Sequence, residues 1–317
     1  MNLLFLRGSI PKDRDPKQII FNNLEECDDV WTQLAQTLSK DGKGELWYWG
    51  GKRTTHYRHN FIERWIPDFK SVKNDFIPDV IFARGGFPEY DPILKHYPNV
   101  FKIYYGAGKR FVPQTFKNFH LILVDTPEQK EKASKIFPNI KIELFIKPAA
   151  ENIFSPQKRD KKYDVIFCAN EHKSGIKGHD FILPLLSKFK TLQVGIASVE
   201  LQKKYPDITF TNWIPRKDIP ELYAQSKIAI IPCSDVDSCP RVIPEALACN
   251  CPILVLDTVN LWREKYITPQ TGRIMTKSTC EEEIRRMIKD YETFTPYNYY
   301  HKELSLSVAT EHIRSLI

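Results

Sequence analysis

The stretch Asp237-Ser-Cys-Pro-Arg-Val-Ile-Pro-Glu245-Ala-Leu-Ala-Cys-Asn-Cys-Pro252-Ile-Leu-Val-Leu-Asp257 decides how the chain is read. An apolar run, Ile228 to Pro232, precedes it and reads as a buried strand. The chain enters a helix near Arg241-Val242, leaves it at Asn250, and begins another strand at Pro252. Strand, loop, helix and strand in close succession form the repeating unit of a parallel sheet. Ser238 is placed to cap the helix, whose first N–H groups lack carbonyl partners of their own. Those donors and the positive end of the helix dipole suit a diphosphate or sugar hydroxyls. Asp237 stands just ahead of the helix, and Glu245 reads as about two turns along it. Asn250 can take the left-handed geometry that a helix C-cap requires.

The same alternation extends along the chain in both directions. Strands are expected at Asn2-Leu6, Glu45-Trp49, Asp79-Ala83, Phe101-Tyr105, Leu121-Asp125 and Lys141-Phe145, with helices at Leu24-Leu38 and Glu128-Ile136. In the second half, Asp164-Ala169, Leu192-Ile196, Ile208-Thr211, Ile228-Pro232 and Pro252-Leu256 read as strands. Helices at Phe181-Phe189, Ile219-Gln225, Ile243-Ala248 and Glu281-Tyr291 lie between and after them. Prolines and a charge run from Lys147 to Lys162 interrupt the pattern as a linker does. At 317 residues the chain suits two compact domains better than one core. The reading is residues 1–150 as a first Rossmann-like domain, 151–162 as linker, 163–296 as a second such domain, and 297–317 as a closing helix.

Composition sets the outer limits. Hydrophobic residues at 42% and charged residues at 27% describe a globular chain, not a disordered one. The start, Met-Asn-Leu-Leu-Phe-Leu-Arg-Gly, lacks a basic n-region and reads as a first strand, not a signal peptide. The expected compartment is the cytoplasm, with peripheral contact at a membrane left open. The 46 Lys and Arg against 39 Asp and Glu give a net charge of +7, which favours anionic partners or is simply a basic surface. Cys233, Cys239, Cys249 and Cys251 crowd together, but no CxxC pair is present, so core packing is preferred to a metal site.

The Asp237-to-Asp257 stretch resembles the donor-site signature of the family-4 retaining glycosyltransferases: acidic-x7-Glu, an Ala-rich helix, then a Pro-led strand. Asp237-x7-Glu245 fits that spacing with Asp where Glu is usual, and Pro240 to Ile243 match the Pro-Arg-Val-Ile core. Lys177-Gly178 resembles the family's phosphate-binding turn, and Asn212-Trp213-Ile214-Pro215 its loop beside the base. The likeness covers the second half well and the first half weakly. It implies an α/β fold of the GT-B class, with two Rossmann-like domains facing a central cleft and a C-terminal helix crossing back to the first domain. It also implies a retaining transfer of sugar from a UDP- or GDP-linked donor to a hydroxyl acceptor, with no cofactor and no metal.

Carried over by resemblance, Glu245 binds the ribose, Asp237 touches the donor sugar, and Lys177, seconded by Lys173, neutralises the diphosphate. Backbone groups of Ser238, Cys239, Pro240 and Arg241 complete the cradle, Trp213 flanks the base, and Arg7-Gly8 after the first strand approaches the diphosphate. His172 and His179 flank Lys177 but read as exposed loop residues. Relatives often place a His where this chain has Tyr104-Tyr105-Gly106-Ala107. With Asp237 for Glu, that departure leaves both hexose and pentose donors open. The aromatic and basic stretch Trp47 to Phe61 reads either as acceptor-side stacking surface or as a strand with a polar loop. The acceptor is a saccharide, a glycolipid or a hydroxymethylated DNA base. A non-catalytic sugar-nucleotide-binding module is the remaining alternative.

Overall fold

A computed structural model describes residues 1–7, 30–49, 54–58, 61–66, 76–84, 90–106, 118–237 and 239–317. These form two compact units: Met1–Ile146 together with Ala309–Ile317, and Lys147–Val308. The segment read as a linker, 151–162, thus belongs to the second unit.

The first unit runs β1 (Leu3–Arg7), α1 (Val30–Leu38), β2 (Gly44–Trp49), β3 (Thr54–Arg58), β4 (Phe61–Ile66), β5 (Val80–Arg84), α2 (Asp91–His96), β6 (Phe101–Gly106), β7 (Leu121–Val124), α3 (Pro127–Ile136) and β8 (Lys141–Leu144). Its sheet has the order β3-β4-β2-β1-β5-β6-β7-β8, parallel except for the edge strand β3. Strands such as Leu-Ile-Leu-Val at β7 are apolar throughout because helices cover both sheet faces. On one face Leu4, Leu6, Ile81, Ala83, Ile122 and Val124 pack with Ile93 and Leu94 of α2 and Ala133 of α3. On the other, Phe5 stacks on Phe82 at 4.8 Å, and Trp31 of α1 lies 4.7 Å from Tyr105. The stretch read as a strand plus polar loop instead continues as β3 paired antiparallel to β4. The expected helix start at Leu24 lies outside the described residues.

The second unit runs β9 (Tyr163–Cys168), α4 (His179–Leu186), β10 (Thr191–Val194), α5 (Val199–Lys204), β11 (Thr209–Phe210), α6 (Ile219–Ala224), β12 (Ser226–Ile231), α7 (Val242–Ala248), β13 (Ile253–Leu256), α8 (Arg263–Tyr266), β14 (Gly272–Met275), α9 (Cys280–Asp290) and α10 (Pro296–Glu303), and only the start of α11 (Leu306–Leu316) lies in it. Its parallel sheet has the order β11-β10-β9-β12-β13-β14, that of a doubly wound nucleotide-binding fold.

The segment expected as one closing helix is two, α10 and α11. The break falls at Leu304-Ser305, where the Leu306 amide donates to Glu151 at 2.7 Å. From Ala309 on, α11 belongs to the first unit, where the His312 ring is 2.9 Å from the Leu144 carbonyl and Arg314 reaches the Thr37 carbonyl at 3.1 Å. Among the described residues no helix is long and apolar enough to cross a membrane.

Candidate active site

In the second unit the chain builds β9, β10 and β11 outward on one side, then returns to build β12, β13 and β14 on the other. The reversal falls between β9 and β12. Loops leaving such neighbours diverge, and in open parallel sheets the crevice at their carboxyl ends is where ligands bind. Two loops border it: 169–178 after β9, and 232–241 after β12.

Sequence fixes how these loops meet. Gly178 has φ +76°, a left-handed conformation, and a Cβ placed there would lie 2.3 Å from the Pro232 carbonyl oxygen. Only glycine allows that approach. The Ser234 amide then donates to the Ile176 carbonyl at 2.8 Å. Lys177 and Asp237 are thereby brought together: the lysine Nζ donates to the Asp237 Oδ2, both side chains partly open to solvent. The two residues expected to serve the diphosphate and the sugar are ion-paired with each other. Beneath them lies Cys233, buried, its thiol pushed up to about 12 chiefly by burial.

The turn into α7 differs from the expectation. Its N-cap is Arg241, with no side-chain cap hydrogen bond; Ser238, expected to cap it, lies outside the described residues. Because the helix starts at Val242, Glu245 sits in its first turn instead of two turns along. Of the expected backbone cradle, Pro240 has no N–H, and the Cys239 amide already donates to the Asn260 carbonyl at 2.9 Å. Arg241 is exposed. Cys239 adopts φ +42°, unusual for a side chain of this kind, and buried Lys147 donates from Nζ to its carbonyl at 2.8 Å. That bond holds a backbone conformation costing roughly 1–2 kcal/mol. Asn250 takes the left-handed C-cap conformation at φ +57°.

Glu245 is buried, and its Oε1 accepts from Arg216 Nη2 at 2.5 Å. Arg216 opens a 3-10 turn, Arg216–Asp218, just after the loop carrying Trp213, and its guanidinium lies 5.1 Å from the Phe154 ring centroid. Trp213 is 71% exposed, a large apolar surface given to solvent on a loop at the same edge of the sheet. Lys173 is exposed on the β9 loop. His172 is exposed and bonded to Ser174 at 2.6 Å.

His179, read as an exposed loop residue, is instead buried as the first residue of α4, with its ring 4.8 Å from Phe167. Burial holds its imidazole below the ordinary histidine range, against the opposing pull of Glu171. In the first unit Arg7 ends β1, in register with Arg84 of β5; Gly8 lies outside the described residues. Of the Tyr104-Tyr105 pair, Tyr105 is buried and donates to Asp125 at 2.6 Å. Cys233, Cys239, Cys249 and Cys251 are buried free thiols, and among the described residues no His, Cys, Asp or Glu cluster is arranged to hold a metal ion.

Sequence reasoning did not single out Arg216 or Lys147. Both act through backbone or side-chain partners distant in sequence, so no local spacing marks them. The one available signal was position: Arg216 directly follows the Trp213-Ile214-Pro215 loop.

Residues 151–303 match the family model of the glycosyl transferases group 1. The whole chain shares its fold with solved GT-B proteins of low sequence identity. A sucrose-phosphate synthase from Thermosynechococcus elongatus is similar at 11% identity and TM-score 0.71, covering 100% of this chain and 98% of that one. A glycosyltransferase from Rickettsia africae is similar at 15% identity and TM-score 0.71, covering 99% and 97%. HepE from Anabaena, in complex with UDP, is similar at 12% identity and TM-score 0.67, covering 100% and 99%. No curated protein matches the sequence. The fold is GT-B, and the residues that match the glycosyl transferases group 1 model lie within its second unit.

Proposed function

We propose that the chain moves a sugar from a UDP- or GDP-linked donor to a hydroxyl acceptor, a saccharide or glycolipid, with retention at the anomeric carbon. The observation that carries this reading is the Lys177–Asp237 pair at the point where the strand order of the second unit reverses. A lysine ammonium has three donors and one charge, so it can keep Asp237 while taking a diphosphate oxygen. In the reaction the bond from the anomeric carbon to the diphosphate breaks and negative charge grows on the leaving oxygen. Lys177, seconded by Lys173, stabilises that charge in a preorganised position. The acceptor hydroxyl bonds to the anomeric carbon from the face the diphosphate leaves, and its proton passes to a leaving-group oxygen. Asp237 positions the donor sugar, Glu245 accepts from the ribose hydroxyls, and Trp213 offers its ring to the base.

The Asp237-x7-Glu245 spacing supports retention, and the UDP held by the Anabaena relative supports a nucleotide donor. The reading uses no metal ion, since Lys177 supplies the positive charge. It places the enzyme in the cytoplasm, where sugar nucleotides are made. The test is a thermal-shift screen of UDP-, GDP- and ADP-linked hexoses and pentoses, followed by NMR of the anomeric proton in the product. A donor at 100 times its Kd raises stability by about 2.7 kcal/mol. A screen with no stabilising nucleotide sugar, or a product of inverted configuration, sinks the reading.

A further inference from the structure

Buried carboxylates are held by charged or hydrogen-bonding partners, because an ionised oxygen inside a protein is costly when unpaired. Glu245 meets that need at one oxygen: Arg216 Nη2 donates to Oε1 at 2.5 Å, and among the described residues no donor is bonded to Oε2. Cys168, Tyr223 and Cys249 lie near Glu245, yet among the described residues none of them is hydrogen-bonded to Oε2. Arg216 is itself fixed, its guanidinium 5.1 Å from the ring of buried Phe154. A guanidinium is a planar fork, so a fixed guanidinium fixes the carboxylate it binds.

We propose that Arg216 is a positioning residue for donor recognition: it pins Oε1 of Glu245 and leaves Oε2 as the acceptor for a ribose hydroxyl of the nucleotide. This rests on the donor-site reading above. Arg216 also opens the turn that follows the Trp213 loop. One side chain therefore links the base-side loop to the ribose carboxylate, and selection for ribose depends on it without its touching the sugar.

The experiment measures, by calorimetry, binding of UDP and GDP, of the 2′,3′-dideoxy form of the tighter binder, and of inorganic pyrophosphate. The proteins are wild type, E245Q, R216K and F154L. Arg216→Lys keeps the charge and loses the fork, while Phe154→Leu loosens the guanidinium and leaves both charges in place. The expected result is a tenfold or larger preference for ribose in wild type. It falls below threefold in R216K and E245Q and to an intermediate value in F154L, with pyrophosphate affinity unchanged within twofold. A wild-type ratio in R216K alongside a lost ratio in E245Q overturns the proposal and leaves the donor site standing. Should R216K fail to fold, an unchanged ratio in F154L overturns it equally. Wild-type protein that binds neither nucleotide, or binds both sugar forms alike, overturns the donor-site reading and the proposal with it.

Discussion

The amide of Ser234 donates to the carbonyl of Ile176 across 2.8 Å. The residues that matter follow closely: Lys177 one residue beyond Ile176, and Asp237 three residues beyond Ser234. A single backbone bond between two loops therefore sets the distance at which a lysine and an aspartate meet. The loops come from β9 and β12, adjacent in the sheet but separated by two further strands in the chain. Long-range strand pairing, not local sequence, assembles the site.

That assembly depends on Gly178. Gly178→Ala places a Cβ 2.3 Å from the Pro232 oxygen at a φ of +76°. The conformation alone costs roughly 1–2 kcal/mol, and the clash with backbone adds to it. We expect a loss of about 2 kcal/mol or more in urea unfolding, and weaker nucleotide binding in whatever folds. A variant with wild-type stability and binding would mean that the two loops are free to separate.

The ion pair itself contributes little to stability, because both side chains are partly solvated and exposed pairs contribute about 0–1 kcal/mol. Lys177→Ala is therefore expected to unfold within about 1 kcal/mol of wild type. Its transfer rate should fall by about 100- to 1,000-fold, the usual consequence of removing one transition-state charge partner. Steady-state kinetics on the donor found in the screen decide it. Equal turnover in the variant would show that Lys177 binds only Asp237.

Arg216 and Glu245 behave differently because their pair is mostly buried. Arg216→Met leaves a buried carboxylate unpaired, whereas Arg216→Met with Glu245→Met removes both charges. The single variant is expected to lose about 3 kcal/mol in chemical denaturation, and the double variant to regain much of it. A double variant as unstable as the single would place the cost in lost packing against Phe154 instead.

How much of this was open to reading from the residues follows from the range of the interactions. Lys177-Gly178, Asp237 and Glu245 stood out because each sits in a short run of characteristic spacing. Most strands of the two sheets were legible because a strand buried on both faces is apolar throughout; edge strand β14 was not, since Gly-Arg-Ile-Met carries a glycine and a charge and is only half buried. β3 and β4 were not, since Thr54 to Ile66 mixes aromatic and charged residues at the edge of the sheet. The break between α10 and α11 carries neither Gly nor Pro, and it is stabilised by Glu151, remote in sequence. Nor could spacing reveal that the Cys239 amide is taken by Asn260, which only the packed loop shows.

The histidines give the stability a defined pH dependence. His179 and His120 are both held below the ordinary range, each chiefly by burial. Their unfolded value is about 6.5, so between it and the folded values the unfolded chain binds more protons. Their contribution is fully present above about pH 6.5 and is lost as pH falls through the window below it. Urea midpoints between about pH 7.5 and 5 should decline, and His179→Phe, which removes the buried imidazole of the two, should flatten the decline. A slope unchanged in that variant would assign the dependence elsewhere.

Trp213 separates binding from folding most cleanly. The residue is 71% exposed, so the folded protein gains little from it, and surface changes of this kind usually alter stability by about 0.5 kcal/mol or less. An exposed tryptophan beside a ligand crevice contributes instead when a flat ligand covers it. Base-on-aromatic stacking contributes about 1–3 kcal/mol by alanine substitution, about 5- to 150-fold in Kd. Trp213→Ala should therefore keep the wild-type melting temperature without ligand and lose most of the shift given by the nucleotide diphosphate. Inorganic pyrophosphate should bind variant and wild type alike, since it has no base to stack. If pyrophosphate binding falls together with nucleotide binding, Trp213 shapes the loop and does not meet the base. If neither falls, the base lies elsewhere on the unit.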